Sequence, residues 1–321
     1  MRNARSAGLV LALLSAAAFS TSGPLAGALI ATGWSPGGAV VARLVVAAVA
    51  LTVPAVLALR GRWSLLVSRA RTIALYGVVA VATAQFAYFN AVAHVSVGVA
   101  LLLEYQGIVL VVLWMWLRHG RRPGRLVVAG AVTAVVGLAL VLDVVGGFRL
   151  DGVGVLWGLV AAVGLAVYFV LASDDAEPLP PIVLSCAALW VGALVLVAGG
   201  LAGLVPLRTS TADVELAGHQ VSWLVPVLGV SLVAAALAYV LGIVGARLLG
   251  ATLASFVGLA EVLFAVGFAW LFVGQVPTPV QAIGGVVVIA GVALVRLGEL
   301  RAPSVAPVPE PAPLTPEPAR R

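Results

Sequence analysis

No lysine occurs anywhere in this chain. A nucleotide-cradling loop of the GxxxxGK kind therefore cannot be completed, and primary ATP-driven pumping by this chain alone is excluded. There is one cysteine, Cys186, inside an apolar stretch. It allows neither an intramolecular disulfide nor a thiolate metal cluster, so no redox chemistry, metal or cofactor is expected. Neither an HExxH zinc pair nor a nucleophile elbow is read from the sequence, so no enzyme activity is expected. Charge is scarce as well, at 9% of 321 residues.

What fills the chain is apolar. Hydrophobic residues make up 63% of the positions, and the mean hydropathy is +1.18. A water-soluble domain of this length would not carry that composition. About 20 apolar residues cross the hydrocarbon of a bilayer as a helix. Ten such spans are read, at residues 7–31, 36–59, 72–93, 97–117, 125–146, 153–172, 181–204, 222–245, 249–272 and 277–296. The weakest break is His94 to Ser96, but the run from Thr72 to Leu117 is too long for one span. Irregular backbone facing lipid is excluded, and the period-two alternation of a membrane barrel is absent. The expected fold class is an all-α polytopic membrane protein with the lipid bilayer as its solvent.

Arg2 and Arg5 before Ala7 to Phe19 resemble a secretory leader with Ala16-Ala17-Ala18 as its cleavage site. The apolar run continues to about Ala31, too long for a leader core, so the segment is kept as a span. All basic side chains are arginine. With the N-terminus in the cytoplasm, thirteen arginines near span ends fall inside and only Arg149 and Arg208 fall outside, which fixes the orientation. Both termini are then expected in the cytoplasm, in a cell membrane. The isoelectric point near 10.4 follows from this bias, with no call for nucleic acid. Beyond Arg301, seven prolines between Pro303 and Pro318 predict an extended, disordered tail over 302–321.

Sliding the chain by 154 residues lays Ala100–Val141 on Ala254–Val295 without a gap, with twelve identities. These include Trp116/Trp270, Gly120/Gly274, Pro123/Pro277, Gly130/Gly284 and Gly137/Gly291. Matched Trp, Pro and spaced Gly are hard to obtain by chance in an apolar chain. The matched windows are separated by an odd number of spans, so two five-span halves, 1–147 and 148–301, are expected to cross the membrane in opposite senses. Inverted repeats are a transporter signature. Gly154-xxx-Gly158 and Gly199-xxx-Gly203 are read as packing surfaces, with a homodimer seam as the alternative. Pro24 is the proline close enough to mid-span to suggest a functional bend.

Few residues can carry chemistry. A carboxylate within the hydrocarbon costs about 2.5–3.5 kcal/mol on insertion scales and so needs a partner or a purpose. Two acids qualify, Glu104 in span four and Glu261 in span nine. The repeat pairs Glu104 with Gly258 and Gly107 with Glu261, so the acids are offset by one helical turn. Either can carry a proton while the protein alternates, or can glue helices by hydrogen bonds. Arg43 is the buried base of span two and lies at a depth similar to that of Glu104. The expected structural role is an Arg43–Glu104 ion pair, the alternative being a clamp on a substrate carboxylate. Span three offers Gln85, Tyr88 and Asn90, with His94 near its end as a weaker proton-relay candidate, and span eight offers Tyr239. Spans three, four, eight and nine are expected to line a cavity for a small-molecule substrate.

Ten spans in two inverted halves, with Leu117-Arg118-His119-Gly120-Arg121-Arg122-Pro123 leading into a Gly130/Gly137 helix, resemble the drug/metabolite transporter superfamily, and more narrowly its EamA-type members. Arg43 and the junction Leu271-Phe272-Val273-Gly274-Gln275-Val276-Pro277 share in the likeness. The family commonly has Gly-Glu at these junctions and proline within spans four and nine. Here the positions read Gly120-Arg121, Gly274-Gln275, Gly107 and Glu261. The surroundings of Glu104 and Glu261 are similar to those of the threonine/homoserine exporter branch. The resemblance implies a secondary transporter exporting small polar metabolites or amino acids, with multidrug efflux as the runner-up. A lipid-carrier flippase or a non-transporting scaffold is the reading from another class.

Overall fold

The computed structural model describes residues 2–95, 97–120, 123–141, 151–174, 179–216, 218–273 and 278–301. The junction residues Arg121-Arg122 and 274–277, the boundary between the halves at Gly146-Gly147 and the tail 302–321 lie outside the described residues. Among the described residues, nine helices are long and apolar enough to cross a bilayer: Ser6–Ala31, Pro36–Leu59, Ala70–His94, Val99–Arg118, Gly152–Ala172, Pro181–Leu201, Leu224–Leu249, Ala251–Phe268 and Pro279–Gly298. A shorter apolar helix, Arg125–Val141, takes the place of span five. These ten helices are the spans, numbered in chain order. A chain without water to satisfy its peptide groups can bond them only internally, which is why long apolar runs become helices here.

Several spans are not continuous α-helix, and the breaks recur between the halves. Span one pauses at Thr21. Pro24 has no N–H for the Ser20 carbonyl, and the hydroxyls of Ser20 and Thr21 donate to Ala17 O and Ala18 O at 2.7 and 2.8 Å. Spans three and eight each contain a π-helical segment, Tyr76–Thr83 and Gly229–Leu237. The 154-residue shift lays Tyr76 on Val230, so the two segments are equivalent. Spans four and nine break at Tyr105-Gln106 and Leu259. At both places the backbone tightens to i→i−3 bonding, Ile108 N to Tyr105 O at 3.0 Å and Val262 N to Leu259 O at 3.1 Å, again related by the same shift. Departures from α geometry of this kind concentrate at functional segments.

Spans five and ten pack on each other through the glycines that the repeat had matched. A Cβ on Gly130 would lie 2.7 Å from Gly291 O, and one on Gly137 would lie 3.0 Å from Gly284 O. Higher numbers on one helix meet lower numbers on the other, so the two equivalent spans run antiparallel, as an inverted duplication requires. The seam is self-complementary, since the repeat exchanges one contact for the other. Gly154 and Gly158 are likewise filled within the chain, by His94 and Val95 and by Leu103.

The segment Pro206–Val221, which lies between the seventh and eighth spans read from sequence, contains a short antiparallel hairpin, β1 (Val214–Leu216) and β2 (His219–Val221). Three-residue strands around a glycine turn carry too little alternation to be legible. This segment straps the start of span two. Ser35 caps that helix by accepting from Gly38 N at 3.1 Å and donates to Pro206 O at 2.6 Å, while Trp34 Nε1 donates to Ser210 O at 2.8 Å. Gly33-Trp34-Ser35-Pro36-Gly37 does spell a nucleophile elbow, contrary to the sequence reading. It follows a helix rather than a strand, and its serine serves as a cap, so it does not have the elbow's geometry.

Candidate functional site

The bundle encloses a cavity with about 870 Å³ of empty space counted out to its mouth. Seven spans reach it, one, two, three, four, six, eight and nine, where four had been expected. Of the residues singled out from sequence, Arg43, Gln85, Tyr88, Glu104, Tyr239 and Glu261 all line it. Two do not. Asn90 donates to Phe86 O at 2.7 Å within its own helix. Gly107 serves close packing, because a Cβ there would lie 2.5 Å from Ala162 O on span six.

Arg43 is 1% exposed and does not form the expected ion pair with Glu104. Its Nη1 donates to Ser22 Oγ at 2.6 Å and Gln85 Oε1 at 2.8 Å, and its Nη2 donates to Ala234 O at 2.6 Å. The π-helical segment of span eight supplies that carbonyl, and the broken part of span one supplies the hydroxyl. The guanidinium therefore ties spans one, two, three and eight together. Its Nε is buried without a hydrogen-bond partner, although the residue lines the cavity.

The two acids differ in their surroundings. Span nine's tightened turn diverts Val262 N from Gly258 O, and Tyr105 of span four donates to that released carbonyl at 3.0 Å. The same hydroxyl lies 2.9 Å from Glu261 Oε2. A phenol has one hydrogen, so with Glu261 ionised the two acceptors share it, whereas a protonated Glu261 that donates to Tyr105 leaves the phenol's hydrogen wholly to the Gly258 carbonyl. Glu104, by contrast, makes no hydrogen bond or ion pair among the described residues. Gln106 Nε2 takes up the Leu102 carbonyl at 3.0 Å where the helix breaks, leaving the neighbouring Glu104 side chain on the cavity wall.

Rings form much of the remaining surface. Phe19, Tyr168 and Tyr239 pack edge to face, with centroids 5.2 Å (Phe19–Tyr239), 5.7 Å (Tyr168–Tyr239) and 6.4 Å (Phe19–Tyr168) apart. Phe169, Tyr88 and Tyr105 complete the lining. Phe19, Tyr105, Tyr168 and Phe169 were not anticipated. Isolated aromatics within apolar helices carry no signal until packing turns them inward, although Tyr105 adjoins an intramembrane acid.

His94 lies away from the cavity. Its Nδ1 is 3.0 Å from Asp151 Oδ2, with both side chains partly exposed. Asp151 caps span six by accepting from Val153 N at 2.8 Å. That bond, joined by the one to His94, holds the Asp151 carboxyl below its ordinary range. Among the described residues, no group of three or more His, Cys, Asp or Glu side chains is gathered to hold a metal ion.

Comparison with known proteins agrees with this architecture. The family model described as the EamA-like transporter family matches residues 6–143 and 152–297. No curated protein matches the chain. A solved structure titled only as the crystal structure of a protein is similar at a TM-score of 0.71 and 21% identity, covering 93% of this chain and 99% of its own. At that identity the likeness concerns the fold.

Proposed function

This chain belongs to the EamA-like transporter family, and from that premise we propose that it is a secondary active exporter working by alternating access around the central cavity. The observation that carries this reading is a cavity between the repeats, walled by aromatic and small apolar side chains with two acids and an arginine among them, and bounded by helices that break at equivalent positions. Discontinuous helices at a midplane site are how repeat-built transporters expose backbone to a ligand while still shielding it from lipid. Proton coupling is part of the proposal. The one-hydrogen balance at Tyr105 makes Glu261 a group whose protonation is read directly by span four.

The substrate is expected among small metabolites with a polar head, as in the threonine/homoserine exporter branch. The Phe19–Tyr168–Tyr239 wall also favours a ligand with an apolar body, which is the specific support for the efflux of amphipathic compounds as a second reading. We place the protein in the cell membrane with both termini cytoplasmic, on the arginine bias. The halves 1–147 and 148–301 are proposed as the rocking units. Untargeted comparison of extracellular metabolites is the test, between cells overproducing the wild type and the Glu104→Gln, Glu261→Gln double variant. A metabolite exported only by the wild type is expected. Identical profiles from equally abundant proteins would overturn the reading.

A further inference from the structure

Glu104 lines the cavity and makes no hydrogen bond or ion pair among the described residues, and six aromatic side chains share that lining. We infer that the cavity binds a small organic monocation, an ammonium borne on an aryl or alkyl body, with Glu104 as its counter-ion and the faces of Tyr88 and Tyr105 beside it. The inference rests on the transporter reading and, among small metabolites with a polar head, selects amines in place of amino acids.

Three observations converge on this chemistry. First, a buried carboxylate needs an opposite charge or a donor, and Arg43, the obvious protein partner, spends its Nη1 hydrogens on Ser22 and Gln85 and donates from Nη2 to Ala234 O. Second, aromatic walls attract a cation through their ring faces and accommodate an apolar body, so they suit an alkyl- or arylammonium better than a sugar or a polyol. Third, Arg43 is the basic residue of the lining, its Nη atoms already donate to Ser22, Gln85 and Ala234 O, and the chain contains no lysine. An amino acid would therefore compete with these protein acceptors for its carboxylate's partner, and would bind less well than the amine lacking that group. The charge count agrees. Arg43 with both acids ionised leaves one negative charge, which a monoammonium cancels when it enters and a proton on Glu261 cancels when it leaves.

Binding to the purified full-length protein in nanodiscs tests the assignment, with phenethylamine, its neutral analogue 2-phenylethanol, phenylalanine and 3-phenylpropionate as probes near pH 7. Phenethylamine is expected to bind at least tenfold more tightly than the alcohol and phenylalanine, and the propionate more weakly still. Glu104→Gln should bring phenethylamine and the alcohol to within about twofold, with the unliganded melting temperature of the variant reporting that it is folded. Should the variant fail to fold, the wild-type ranking still decides. Equal binding of amine and alcohol, or preference for either carboxylate-bearing probe, overturns the inference. Proteoliposome flux separates this from the transporter reading. Phenethylamine bound but never translocated counts against transport alone, whereas translocation of phenylalanine in preference to phenethylamine counts against the ligand class alone.

Discussion

Arg43 is the residue on which the site's shape depends most. Replacing it by alanine strands Ser22, Gln85 and the Ala234 carbonyl, and leaving a buried polar group without its partner costs about 1–3 kcal/mol. We expect Arg43→Ala to lower stability by that order, and Arg43→Lys to recover only part of it, because a point charge cannot serve two faces as the fork does. Since Arg43 and Glu104 are not bonded, adding Glu104→Ala should not rescue the variant; thermal unfolding of the single and double variants checks this. Tyr105→Phe should cost about 1–3 kcal/mol by leaving the Gly258 carbonyl bare. Asp151 behaves differently because it sits outside the membrane region. Its carboxyl is held below its ordinary range, so its contribution is present at neutral pH and is lost as pH falls through its folded value. Melting curves of wild type and Asp151→Asn should therefore diverge at neutral pH and converge on acidification. Sequence made the charged residues legible because a charge in hydrocarbon is costly wherever it sits. Their partners were not legible, since Ser22, Gln85 and a carbonyl of span eight meet only after the helices pack.

Helices five and ten show what an element needs from its residues. A Cβ on Gly291 would lie 2.6 Å from Ala134 N, a backbone atom that cannot step aside. Gly291→Leu should therefore part the two helices and cost at least about 1–3 kcal/mol, as overpacking does, read as a lower melting temperature of the detergent-solubilised protein. Gly285→Leu is the control, because a Cβ there would lie 3.4 Å from the tip of Leu263. The matched glycines were visible in the sequence repeat, so this seam was anticipated in its residues although not in its contacts. The π-helical segments were not, because lengthening one turn leaves the apolar pattern of a wholly buried helix unchanged. The hairpin at Val214–Val221 was missed for the opposite reason, too few residues to show any period.

For the whole molecule, the composition declared the membrane and the 154-residue repeat declared the duplication, while the count of cavity-lining helices was underestimated. Inversion makes a direct prediction about sidedness. In a Cys186→Ala background, single cysteines at Ser6 and at Gly298 should be modified from the same side of the membrane by an impermeant maleimide, and one at Arg208 from the other. Modification of Ser6 and Gly298 from opposite faces would refute the arrangement. The exchange of Gly130·Gly291 for Gly137·Gly284 has a historical consequence. A surface that matches its own rotated copy is what two separate chains use to form a symmetric pair, so a single five-helix ancestor could have assembled through this contact before any fusion of genes. Fusion would then have fixed the stoichiometry and freed each copy to specialise, one keeping an acid at Glu104 and the other at Glu261.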